Sequence, residues 1–282
     1  MTTAKKLISA AGAAGGGVTY VDDVFSTYLY GGNETSQNIV NDIDLSGEGG
    51  LVWIKSRTNN HDHLLYDTER GATKPLKSAG TSAETTDASN SLSVFNDNGF
   101  TVIGDSPANQ GDHDFASWTF RKAPGFFDIV TYTGDGATSR DISHNLKTAP
   151  GVIIIKRIDA ASDWTFQHVY NNNYVQYLNI TAARSDSGAT FQFNSTNFKV
   201  VGPSSGLAST KCTNVSGASY VAYLFAHDAQ DFGTDEDESI IKCGSYTGNG
   251  SDIDVDLGFE PQWLMVKSAT GNENWLMVDN MR

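Results

Sequence analysis

The sequence predicts an all-β protein of tandem β-sandwich modules, jelly-roll or concanavalin-like, behind a short flexible N-terminal arm. Three observations carry that prediction. Gly is abundant at 28 residues, aromatic residues reach 11% and charged residues only 18%, a mixture suited to strands joined by tight turns. Apolar residues fall in short runs bounded by Gly, Pro, Asn or Asp, with no amphipathic helix longer than a few turns. One pattern of residues, moreover, occurs three times.

In chain order, Met1 to Gly17 comes first. Lys5 and Lys6 followed by Leu7 and Ile8 imitate the basic start of a secretory signal, but the apolar stretch is too short and too rich in Gly. Gly12, Gly15, Gly16 and Gly17 make any fixed backbone costly in entropy, which predicts a flexible arm.

The repeat is anchored on Lys55, Lys156 and Lys267. Ten residues before each stands a leucine, Leu45, Leu146 and Leu257. Six before stands a breaker, Gly49, Pro150 and Pro261. The runs Leu51-Val52-Trp53-Ile54, Val152-Ile153-Ile154-Ile155 and Trp263-Leu264-Met265-Val266 then read as strands buried on both faces. Polar loops of equal length lead to His63, Trp164 and Trp275, and the second strands end at Asp67, His168 and Asp279. This is one hairpin written three times. Tyr132-Thr133-Gly134-Asp135-Gly136 and Tyr246-Thr247-Gly248-Asn249-Gly250 are near-copies upstream of the second and third hairpins, and Tyr30-Gly31-Gly32-Asn33 is a looser version in the first.

The later half of the unit repeats too. Phe95 to Val102 answers to Phe193 to Val200, and the aromatic strands Ser117-Trp118-Thr119-Phe120 and Ala222-Tyr223-Leu224-Phe225 close the first two units. The breaks Ala123-Pro124-Gly125 and Asp235 to Glu238 set the boundaries. The predicted organisation is an arm over 1–24, sandwiches over 25–124 and 125–234, each of six to eight strands, and the start of a third repeat over 235–282. By analogy the third unit is expected to need about another sixty residues beyond its hairpin, or pairing with another chain.

Charge and residue chemistry narrow the function. A net charge of -14 repels nucleic acid and anionic lipid, so no nucleic-acid partner is expected, and no run is long enough to span a membrane as a helix. Two cysteines, Cys212 and Cys243, do not make a disulfide framework, and whether they form a single bridge is left open. There is no nucleophile elbow, and the His residues sit in unrelated contexts, so no enzyme and no cofactor are expected. His61-Asp62-His63 and Asp112-His113-Asp114 are the best metal candidates, but without further ligands at a diagnostic spacing they read as polar loop ends. Asp235-Glu236-Asp237-Glu238 reads as a solvated linker, with a calcium site as the sharper alternative. With 33 Asp and Glu residues, accidental carboxylate pairs are inevitable and argue nothing for glycoside hydrolysis. The Trp residues recur with the repeat, which places Trp53, Trp118 and Trp263 in the core; the polar counterpart His63 leaves Trp164 and Trp275 open. Asn-rich loops such as Asn171-Asn172-Asn173 permit a binding role but define no receptor site.

Leu51-Val52-Trp53-Ile54-Lys55, Leu64 to Thr73, Phe95 to Val102 and the aromatic strand at Trp118 together resemble a domain common in tail and fibre proteins of marine bacteriophages. The likeness spans most of residues 25–230, and the opening Met1 to Ala10 resembles the start of many such virion proteins. The second unit departs from it at Phe166-Gln167-His168-Val169. The resemblance implies a structural protein of the virion tail, a fibre or appendage anchored through its N-terminal part and contributing to host attachment. Its implied partners are other tail proteins, further copies of itself, with a trimer favoured, and a host surface glycan. A lectin-like carbohydrate-binding module and a capsid decoration protein are the alternatives.

Overall fold

The computed structural model describes residues 19–171, 173–186, 192–203, 211–235 and 237–281. The arm expected over Met1 to Gly17 lies outside these residues. Its expected end does not: one helical turn, α1 (Val21–Val24), puts Val24 fully into the core.

The first sandwich has eight strands: β1 (Phe25–Gly31), β2 (Gln37–Val40), β3 (Gly50–Ser56), β4 (Leu64–Asp67), β5 (Leu76–Lys77), β6 (Ser91–Asn96), β7 (Gly99–Ile103) and β8 (Asp114–Arg121). They make a five-stranded sheet, β1-β8-β3-β4-β5, packed on a three-stranded sheet, β2-β7-β6. The second sandwich also has eight: β9 (Phe127–Thr133), β10 (Ser139–Ser143), β11 (Pro150–Arg157), β12 (Thr165–His168), β13 (Tyr174–Tyr177), β14 (Ser185–Asp186), β15 (Asn197–Val201) and β16 (Ser219–Ala226). Its large sheet runs β14-β13-β12-β11-β16-β9, and β10-β15 covers it. Read from β1 and from β9, the two large sheets begin with the same five strands in the same order, and all pairings are antiparallel.

A last hairpin joins β17 (Trp263–Val266) to β18 (Leu276–Asp279). Its register pairs Trp263 with Asp279, as β3 and β4 pair Leu51 with Asp67, and β11 and β12 pair Val152 with His168. The side-chain period of a strand is two, so identical register points equivalent residues to equivalent faces.

Alternation explains why β3 and β11 are apolar without interruption. Val52, Ile54, Leu64 and Tyr66 face the small sheet of their own sandwich, where they meet Leu92, Phe100 and Val102. Leu51, Trp53 and Leu65 face the other way, into a core shared with Ile154, Trp164, Phe166, Tyr223 and Phe225 of the second sandwich. The two large sheets are thus stacked between the two small ones, and each buried large side chain on the shared face contributes about 1.5–3 kcal/mol. Trp263, Met265, Trp275 and Met277 of the last hairpin pack against the same shared core. Trp53, Trp118 and Trp164 are buried, while Trp263 and Trp275 are half-buried.

Gly99 shows how tightly the small sheets are laid. It holds a φ of +143°, and a Cβ there would collide with the Ile39 carbonyl across the β2–β7 pair. Beside the acidic run Asp235 to Glu238, Phe232 and Glu238 bridge each other, with Phe232 in the shared core, and Glu236 lies outside the described residues.

Candidate functional site

The sheets bring their chemistry together at the junctions between units. Asp67, at the end of β4, is fully buried and accepts hydrogen bonds from the Arg70 amide at 2.9 Å, from Arg70 Nε at 2.6 Å and from the Tyr223 hydroxyl of β16 at 2.7 Å. Arg70 also donates to the Lys74 and Leu65 carbonyls and to Glu84 at 3.0 Å. Burial opposes its charge, yet the Asp67 and Glu84 carboxylates hold the guanidinium pKa above its ordinary value. Burial likewise raises the Tyr223 hydroxyl well above its usual range, so it stays a donor.

The repeat reproduces this link. Trp118 of β8 occupies the place of Tyr223, and Asp279 of β18 the place of Asp67, and the indole Nε1 donates to Asp279 Oδ2 at 3.1 Å. A second link runs from hairpin tryptophans to main-chain carbonyls. Trp164 Nε1 donates to the Lys77 carbonyl at 3.0 Å, and Trp275 Nε1 donates to the Tyr177 carbonyl at 3.2 Å. Lys77 and Tyr177 are themselves equivalent, each opposite the first residue of its neighbouring strand, β4 or β12.

The three anchor lysines share a role that their recurrence marks but does not explain. Lys156, fully buried, donates to Ser162 O in its own loop and to Thr81 O of the first sandwich. Lys267 donates to Glu273 O in its own loop and to Thr181 O of the second. Lys55 donates to Asn59 O and His61 O in its own loop. Burial lowers all three, Lys156 to about 8, while Asp62, Asp163 and Glu273 oppose the shift in their respective loops.

The sequence candidates for metal are brought partly together. The rings of His61 and His113 stand 6.2 Å apart, with the Asn59 amide between them at 3.1 and 3.3 Å from their Nε2 atoms, and Gln110 Oε1 lies 2.8 Å from His61 Nε2. His63 instead turns inward, where its Nδ1 accepts from Trp53 Nε1 at 3.0 Å. Among the described residues no three His, Cys, Asp or Glu side chains converge on one point. Cys212 and Cys243 are not joined by a disulfide, and burial raises both thiols, Cys243 to about 12.

A cleft of about 820 Å³ opens where these junctions meet. Its walls are the start of the first hairpin with Trp53, Lys55 and His63, the strand end Leu178 to Thr181, and Trp275, Leu276 and Met277 of the last hairpin. The Arg70, Glu84 and Tyr223 roles were not legible in the sequence. Asp67 three residues before Arg70 was their one local signal, and the tertiary partners lie 14 and 156 residues from Arg70 and Asp67 respectively.

Fold and junctions define an all-β protein whose stacked sandwiches are tied to one another by buried polar links. The chain belongs to the family described as Domain of unknown function (DUF7483), whose profile matches residues 21–282. Among curated proteins and among solved structures, nothing matches it.

Proposed function

We propose that the chain is a non-catalytic structural protein of a bacteriophage virion, a tail fibre or tail appendage anchored through its N-terminal part and contributing to host attachment. The observation that carries this reading is where the buried polar chemistry is used. Tyr223 with Asp67, and Lys156 with the Thr81 carbonyl, make bonds that join one sandwich to the next, and Arg70 braces Asp67 from within the first. Such groups resist shear between units, which is what a mechanical part requires. The residues of 51–55, 64–73 and 95–102 that resemble phage tail and fibre proteins form the strands on either side of the first sandwich core. On this reading its partners are other tail proteins, further copies of the chain in a homo-oligomer with a trimer favoured, and a host surface glycan.

Deletion of Met1 to Gly17 tests the anchoring. Particles are expected to lose the protein, and particles that keep it at normal copy number refute the anchor. Cryo-electron microscopy of the intact particle then separates tail from capsid placement. The lectin-like alternative draws on the indoles and amides of the cleft, Trp53, Trp275, Asn59, Asn179 and Asn274. Saturable binding of an oligosaccharide by the isolated chain would favour it.

A further inference from the structure

The repeat gives a structural counterpart to an exposed stretch of the last unit. Asp252 stands fifteen residues before Lys267, as Asp141 stands fifteen before Lys156, and each is followed by an isoleucine, Ile253 and Ile142. In the second sandwich Asp141 and Ile142 lie in β10, which pairs with β15 to make the small sheet. Ile142 sits opposite Phe198 and is buried against it, whereas Asp141 sits opposite Lys199 and forms an ion pair with it at 3.3 Å. The inner face of this strand is thus held by apolar contact and its outer face by charge.

The counterpart in the last unit has the pattern of such a strand without its neighbour. Ser251-Asp252-Ile253-Asp254-Val255-Asp256-Leu257 alternates acidic with apolar residues at the period of a strand. Residues 244–260 nevertheless form no strand, and they make no backbone–backbone hydrogen bond among the described residues. Ile253 is 39% and Val255 48% exposed, against 5% for Ile142. The face such a strand would cover is bare as well. Leu264, Leu276 and Val278, on one side of the last hairpin, are 38%, 56% and 42% exposed, while their counterparts Val52, Leu64 and Tyr66 are at most 2% exposed beneath a small sheet.

We propose that residues 251–257 are a docking strand for another protein, which supplies an antiparallel strand alternating Lys or Arg with apolar residues. Its basic side chains meet Asp252, Asp254 and Asp256 as Lys199 meets Asp141, and its apolar side chains pack beside Ile253 and Val255 as Phe198 does beside Ile142. The two strands together cover Leu264, Leu276 and Val278, as β10 and β15 cover Ile153 and Ile155. Charge selects the occupant. Residues 228–282 hold twelve acidic residues against three Lys or Arg, the larger part of the net charge of -14. A second copy pairing through the same stretch sets aspartate opposite aspartate, which opposes association. No strand among the described residues carries two basic side chains at alternate positions, so the chain has no complementary strand of its own to offer. The site is set by the repeat and by charge, and it does not depend on placement in a virion.

The test uses the full chain and a fluorescent peptide copying residues 193–202 with Ser195→Lys, Thr196→Val and Asn197→Lys. In the register of β10 with β15 this peptide sets a lysine opposite each of the three aspartates. A control peptide carries glutamate in place of those lysines. The expected result is saturable binding of the basic peptide alone, weakened by salt, with slowed hydrogen exchange at residues 252–256. Asp252→Lys combined with Asp254→Lys, at two exposed positions, is expected to weaken the basic peptide at least about tenfold and to confer binding of the acidic control. Lack of saturation up to about 1 mM, equal binding of both peptides, or unchanged exchange at residues 252–256 would overturn the proposal and leave the aspartates as guards of a sheet edge. Self-association of the chain that slows the same exchange without any peptide would overturn it in favour of a second copy.

Discussion

Tyr223→Phe isolates the link between the first two sandwiches. The ring stays, stacked against Phe127 and Trp164 in the shared core, and only the hydroxyl is removed. The lost bond is 2.7 Å long, fully buried and made to a carboxylate, so its removal costs about 1.5–3 kcal/mol. Asp67 keeps its two bonds from Arg70, which prevents the larger loss of about 3–5 kcal/mol expected when a buried ion pair is broken outright. At about 2 °C per kcal/mol for a chain of this size, Tm falls by about 3–6 °C. Urea unfolding followed by tryptophan fluorescence gives the free energy directly, with an unchanged slope expected. A double-mutant cycle with Asp67→Asn then measures the pairwise term. A loss below about 0.5 kcal/mol with negligible coupling would refute the assignment of this bond as a stabilising tie.

Three further outcomes follow from particular residues. Burial, with His227 nearby, lowers His168 to about 4 from an ordinary value of 6.5, so the folded state binds fewer protons than the unfolded chain between those values. Its contribution, about 3 kcal/mol at most, is present above pH 6.5 and lost as pH falls toward 4; His168→Gln should flatten a stability profile across that window. Lys156→Met leaves the Thr81 and Ser162 carbonyls short of a donor and should cost about 1–3 kcal/mol by urea unfolding, and a neutral result would show that relief of burial offsets the lost bonds. Gly99→Ala combines a strained backbone with a collision at the Ile39 carbonyl and should cost more than about 1–3 kcal/mol, read as a fall in Tm.

The fold was readable because strands with both faces covered leave unbroken apolar runs, and Leu51 to Ile54 and Val152 to Ile155 are such runs. The spacing of Lys55, Lys156 and Lys267 located three hairpins whose registers agree residue for residue. The faces themselves were not assignable. An uninterrupted run does not say that Trp53 enters a core shared with Trp164 while Val52 enters a separate one, since that depends on which sheet lies opposite. The junction chemistry was hidden for the same reason. Asp67, Tyr223, Trp118 and Asp279 are ordinary residues until two sheets bring them within bonding distance across 156 and 161 positions.

The shared core also governs how the chain can be made and cut. While it is being synthesised, the first sandwich has its small sheet in place but carries Leu51, Trp53, Trp118 and Phe120 on a bare face until the second large sheet arrives. That sheet needs about a hundred further residues, or roughly 5–20 s of elongation, during which the open face can capture another nascent copy. A sandwich excised at Ala123-Pro124-Gly125 would expose the same surface permanently. In this protein the repeating unit of sequence is smaller than the unit that can stand alone in water.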